Sequence, residues 1–165
     1  MVELINLHAP ALTSLRDQPD EFQARYKVSF GLNLGTIHDL AIQTQKRLAS
    51  GIADPKWCAY LAGDKGSRQI VGCCDFKGPP TKDGSVEISY STFLEFQGHG
   101  FATGMVKGLI DIAFADPRVS KVVADTLPER NASTRVLEKN GLNLNQEMED
   151  VSEGLVWRWG LEKVR

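Results

Sequence analysis

The sequence predicts one α/β domain of the α+β kind, built on a mixed and mostly antiparallel sheet, and three observations predict it. Residues 86–93 alternate as a strand, residues 97–103 hold a glycine-rich turn, and apolar residues recur at helical spacing from Met105 to Phe114. Residues 121–126 then form a buried strand, so the strands on either side of that helix run parallel through a right-handed crossover. Ahead of the turn, strand patterns follow one another with no helix between them. That is a meander, and it argues against a doubly wound nucleotide fold.

In chain order, residues 2–7 read as the first strand, Pro10 opens a short helix through Arg16, and residues 21–28 give a second turn or helix. Gly31 and Gly35 break the pattern. Thr36 is placed to cap a helix whose apolar Ile37, Leu40, Ala41 and Leu48 share a face, with Gly51 as its stop. Residues 57–62 and 70–76 are apolar runs separated by Gly63-Asp64-Lys65-Gly66-Ser67, a hairpin. Pro79 and Pro80 keep residues 77–84 out of the sheet. Asp116-Pro117 ends the central helix, and a later helix starts at Asn131 or Ser133 and stops at Gly141. Residues 142–148 and 155–161 close the chain as a hairpin, with Trp157 and Trp159 on one face and Val156 and Arg158 on the other.

With 165 residues, 42% of them hydrophobic, the chain suits a single domain, residues 1–165, with a full core. A net charge of -2 gives no basic stripe to neutralise a phosphate backbone, so nucleic acid is not an expected partner. No apolar run has the length of a membrane span and the amino terminus shows no signal pattern, so the expectation is a cytoplasmic protein away from membranes. Cys73 and Cys74 are adjacent on an apolar strand and point to opposite faces, and Cys58 lies just before. Neither a disulfide framework nor a metal site is expected, because no histidine or acid lies at ligand spacing.

The turn Gln97-Gly98-His99-Gly100-Phe101-Ala102-Thr103 carries the chemistry. A helix leaves its first N–H groups unpaired and its dipole favours an anion there, while glycines let a bulky anion approach. A phosphate or pyrophosphate is the natural guest. Thr103 stands where a dinucleotide fingerprint wants its last glycine, and Asp125 stands where a ribose-binding acid would end the next strand. A nucleotide-binding oxidoreductase therefore stays open as an alternative.

Gln97-x-x-Gly100-x-Ala102 resembles the Gln/Arg-x-x-Gly-x-Gly/Ala signature of the GCN5-related N-acetyltransferases. Residues 126–141, which include Asn131-Ala132-Ser133-Thr134-Arg135-Val136-Leu137-Glu138-Lys139-Asn140-Gly141, resemble a segment of the branch with the ribosomal-protein alanine N-acetyltransferases. The resemblance implies a sheet of about seven strands with a parallel pair splayed around the cofactor past a bulge, and helices on both faces. It implies acetyl-CoA as cofactor and a small-molecule amine or a peptide N-terminus as acceptor, attacked directly in a ternary complex by a monomer or homodimer. Carried onto this chain, Phe93 and Leu94 would contact the pantetheine arm through backbone groups. Gln97, Gly98, His99, Gly100, Phe101, Ala102 and Thr103 would cradle the pyrophosphate, and Asn131 would bond the arm from the other side. Glu87 is the first candidate for general base, ahead of Tyr90 and Asp75, and Ser133 for the donor to the departing thiolate. A serine at a helix start ordinarily caps that helix, and Ser133 is read in that role as well. Arg135 and Lys139 are placed either to meet the 3′-phosphate or to form a solvated face. A non-catalytic acyl-CoA-binding module would share the turn without needing Glu87 or Ser133.

Overall fold

A computed structural model describes residues 1–51 and 54–164. Seven strands form one sheet in the order β1-β2-β3-β4-β5-β7-β6. They are β1 (Val2–Asn6), β2 (Ala59–Asp64), β3 (Ile70–Phe76), β4 (Ser85–Thr92), β5 (Lys121–Thr126), β6 (Asn143–Asp150) and β7 (Gly154–Glu162). Every pairing is antiparallel except β4 with β5. The helices are α1 (Ala9–Asp17), α2 (Pro19–Tyr26), α3 (Leu34–Ala49), α4 (Phe101–Ala115) and α5 (Ala132–Lys139).

Alternation along the strands sends side chains to two apolar layers. Tyr60, Ala62, Val86, Ile88, Val122 and Ala124 meet α4 and α5 on one face, whereas Ile5, Leu7, Ala59 and Leu61 meet α1 to α3 on the other. Gly104 and Gly108 let α4 lie close on β1: a Cβ at either would come within 2.8 Å of Val2 or 2.7 Å of Leu4. No described helix is long and apolar enough to cross a membrane.

Two boundaries differ from the sequence reading. The second strand begins at Ala59, not at residue 57, because Pro55–Trp57 is a 3₁₀ turn whose first N–H, from Lys56, is capped by the Asp54 carboxylate at 2.9 Å. The third helix begins at Leu34 with Asn33 at the cap position, ahead of Thr36. The closing hairpin forms as expected: Arg130 lies over both Trp157 and Trp159, while Arg158 faces Asp125 from the opposite side.

The sheet opens at its parallel pair. β4 and β5 are joined only at Ser85–Lys121, Val86–Val122 and Glu87–Val123. Beyond Glu87, β4 keeps an unbroken register with β3 to Thr92, while β5 continues alongside β7. The expected bulge is therefore not a register shift in β4 against β3. The gap arises because each strand stays with its antiparallel neighbour and the two sheet halves twist apart.

Candidate active site

A cleft of about 430 Å³ lies over this gap. One wall is β4 at Tyr90, Ser91 and Thr92; the start of α4 forms the end, and Ala132, Ser133, Arg135, Val136 and Lys139 of α5 form the far wall. The two helices are tied by Asn140, whose Nδ2 donates to the carbonyls of Thr103 at 3.3 Å and Val136 at 2.9 Å.

The α4 start is shaped for an anion. Gly98 and Gly100 sit at φ +78° and +81°, a region costly for other residues, and a Cβ at either would point into open space. Gly100 occupies the cap position with no side-chain hydrogen bond, so the first N–H groups of α4 stay available. Gln97, Phe101, Ala102 and Thr103 complete this end of the cleft. Gln97 is steadied by donating from Nε2 to the Thr92 carbonyl at 3.4 Å.

The His99 ring does not face the cleft. Its Nδ1 lies 2.8 Å from the Gln97 carbonyl and 3.2 Å from that of Phe96, which requires a proton on Nδ1, and the ring stacks on Phe101. His99 therefore serves the turn's conformation with its side chain and can offer an anion only its backbone.

Phe93 and Leu94 were expected along the arm, but the Phe93 N–H donates to Val71 and the Phe93 and Leu94 carbonyls accept from Phe96 and Gln97 in a 3₁₀ turn. The β4 segment that faces the cleft without a β5 partner lies earlier, at Tyr90, Ser91 and Thr92, which the sequence reading did not assign to the cofactor. The signal was present: the strand turns from apolar to hydroxyl-bearing at Ser89-Tyr90-Ser91-Thr92. The Thr92 hydroxyl is buried without a hydrogen-bond partner, so the cleft wall holds an unmet polar group.

Asn131, and not Ser133, caps α5. Its Oδ1 accepts from the Thr134 N–H at 3.1 Å, and the Thr134 hydroxyl accepts from the Asn131 N–H at 3.0 Å, a reciprocal box. Asn131 does not line the cleft, and its side-chain oxygen is already engaged. Ser133 is released from capping and lines the cleft, with its carbonyl accepting from the Tyr90 hydroxyl at 3.1 Å. Burial pushes the Tyr90 phenol up to about 12. Arg135 and Lys139 both reach the cleft, while Glu138 between them pairs with Arg130.

Glu87 sits at the last paired position of β4, on the face away from α4. Its Oε1 pairs with Lys77 at 2.7 Å, and its Oε2 lies 3.3 Å from Arg158, which also holds Asp125 at 2.7 Å. Cys58, Cys73 and Cys74 are free.

Comparison with known proteins agrees with this geometry. The chain is 30% identical over 111 residues to the uncharacterized N-acetyltransferase p20 of Bacillus licheniformis, a stretch that is 67% of this chain and 55% of that protein. It spans about half the length of the curated relatives it matches. Two solved structures share the fold. One is the ribosomal-protein-S5-alanine acetyltransferase from Vibrio fischeri, at 17% identity and TM-score 0.62, covering 98% of this chain and 91% of that one. The other is the microcin C7 self-immunity acetyltransferase MccE in complex with acetyl-CoA and AMP, at 13% identity and TM-score 0.66, covering 98% and 92%. The acetyltransferase (GNAT) domain model matches residues 2–143, from the first strand through both motif segments, and the chain belongs to that family.

Proposed function

We propose that this chain transfers the acetyl group of acetyl-CoA to a primary amine, on a small molecule or a peptide N-terminus, by direct attack in a ternary complex. One observation supports this most: the uncapped start of α4 opens onto a cleft that runs along the β4 edge left free beyond Glu87. A pyrophosphate at residues 98–103 would meet backbone N–H groups and the positive end of the helix dipole, and the glycine cradle has room for it. Arg135 and Lys139 would add charge from α5. The Tyr90 backbone groups, which alternate away from β3 into the gap, would pair with an amide-bearing arm.

Acetyl-CoA supplies the activated acyl thioester; the protein supplies position and proton transfers. Fixing two reactants in attack geometry is worth about 7–11 kcal/mol of barrier. In this reading Glu87 takes the amine proton, directly or through a water, from its place where the strands part. The Ser133 hydroxyl donates towards the departing sulfur from the cleft wall. Tyr90 keeps its proton and braces β4 against α5. Direct attack is favoured over an acyl-cysteine because burial, with Asp75 nearby, pushes the Cys73 thiol up to about 11. A protonated thiol is a weak nucleophile at neutral pH.

The test is thiol release from acetyl-CoA across an amine library. Wild type should turn over at least one amine, and Glu87→Gln should lower kcat by about 10²-fold or more without lessening the thermal shift given by coenzyme A. Thermal stabilisation by coenzyme A with no thiol released for any amine would leave a non-catalytic acyl-CoA-binding module. A shift with NAD and none with coenzyme A would remove both readings.

A further inference from the structure

The sheet carries a second, smaller recess of about 130 Å³, between Leu40 of α3, Cys73 and Asp75 of β3, and Ser89 of β4. Tyr90 and Ser91 line both this recess and the large cleft, so the two hollows share the segment of β4 that has lost its β5 partner.

Two carboxylates lie near that shared wall, and their situations differ. Glu87 lines neither hollow, and each of its oxygens already faces a cation, Lys77 or Arg158. Asp75 lines the recess. Its Oδ2 accepts from Arg47 Nη1 at 2.8 Å, and its Oδ1 accepts from the Ser89 hydroxyl. A carboxylate offers about four lone-pair sites, so about two remain. Arg47 also donates to the Phe76 carbonyl at 2.5 Å, which clamps the carboxylate between α3 and the end of β3. The recess thus holds a fixed anion with spare acceptor capacity beside the apolar Leu40 and the Cys73 thiol. The recess is small, less than a third of the volume of the cleft, which suits an ammonium on a short, narrow stem.

Resting on the acetyl-transfer reading, we propose that Asp75, braced by Arg47 and Ser89, receives the acceptor's ammonium group in this recess and selects a primary amine on an unbranched stem. The ion pairs on this face set Arg47, Lys77 and Arg158 against Asp75, Glu87 and Asp125, with Asp150 and Glu153 near enough to act on Arg158 and Lys77. Asp75 binds the amine, and Glu87, which lines neither hollow, would take its proton through a water, the relayed form of the step already described.

The test reads binding apart from catalysis. n-Butylammonium, tert-butylammonium and n-butanol are titrated into the protein while backbone amide NMR signals of residues 73–75 and 89–91 are followed. n-Butylammonium should shift these signals, and the other two should not. Asp75→Asn should weaken n-butylammonium binding about 10- to 100-fold with the amide NMR spectrum still that of a folded protein, whereas Glu87→Gln should keep it. In thiol release with n-butylamine, Asp75→Asn should raise KM with kcat within about threefold, the reverse of the Glu87→Gln pattern. Equal binding of butanol, or an unchanged affinity in Asp75→Asn, overturns the proposal. Should Asp75→Asn not fold, Ser89→Ala serves, with affinity expected to fall about threefold and an unchanged value overturning the proposal. Ammonium binding with the expected pattern, but no thiol released from any amine, would sink acetyl transfer while leaving the recess assignment standing.

Discussion

Two helices begin at the cleft, and they begin differently. At the start of α5, Asn131 and Thr134 exchange hydrogen bonds, so the chain satisfies two of its own first N–H groups, those of Asn131 and Thr134. At the start of α4, Gly100 stands at φ +81° with no side chain to cap anything, and no side chain accepts from the first N–H groups. Both helices needed acceptors for the same orphan donors. α5 found two of them in its own sequence, while α4 has no side-chain acceptor where its start borders the cleft. An uncapped start lowers helix stability, and a bound anion would restore it.

The contrast can be broken most forcefully at α4. Gly100→Val places a β-branched residue at a left-handed φ and a side chain in the cradle. Coenzyme A at a hundred times its dissociation constant should stabilise wild type by about 2.7 kcal/mol, about 2–4 °C per kcal/mol in a thermal melt, and the variant should show no such shift. Asn131→Ala should do the opposite. It should lose about 1 kcal/mol of stability from the broken cap, seen as a melting temperature lower by about 2–4 °C, with coenzyme A affinity by calorimetry unchanged. A loss of affinity there would mean that α5 also presents its start to the ligand. Smaller still, Arg135→Ala or Lys139→Ala should each weaken coenzyme A about two- to fivefold at low salt, fading as ionic strength rises. Least of all, Tyr90→Phe should leave the kcat pH profile unchanged below about pH 11. The buried phenol, pushed up to about 12, carries no charge change in that range; an alkaline limb that vanishes in the variant would count against the bracing role.

The reading from residues alone reached the glycine turn and both motif helices, because these depend on neighbours in the chain. It expected the strand contact at Phe93 and Leu94, where the Phe93 N–H goes to Val71 and both carbonyls are taken by a 3₁₀ turn that propensity does not announce. It offered both Asn131 and Ser133 as helix starts and read the cap at Ser133. Both are good capping residues, and only the reciprocal bond with Thr134 decides between them. Arg135 and Lys139 could be read as a solvated face until α5 was seen packed beside α4.

The sequence by itself determined the order of strand, turn and helix, the glycines at positive φ, and the apolar alternation that gives the sheet two covered faces. These follow from backbone sterics and burial over a few residues. Only the tertiary structure decided where the parallel strands part, and that Glu87 meets an arginine 71 residues away while Asp75 is clamped by one on α3. Such partners are chosen by strand order and helix packing, so two acids twelve residues apart on neighbouring strands acquire different surroundings that no local pattern encodes.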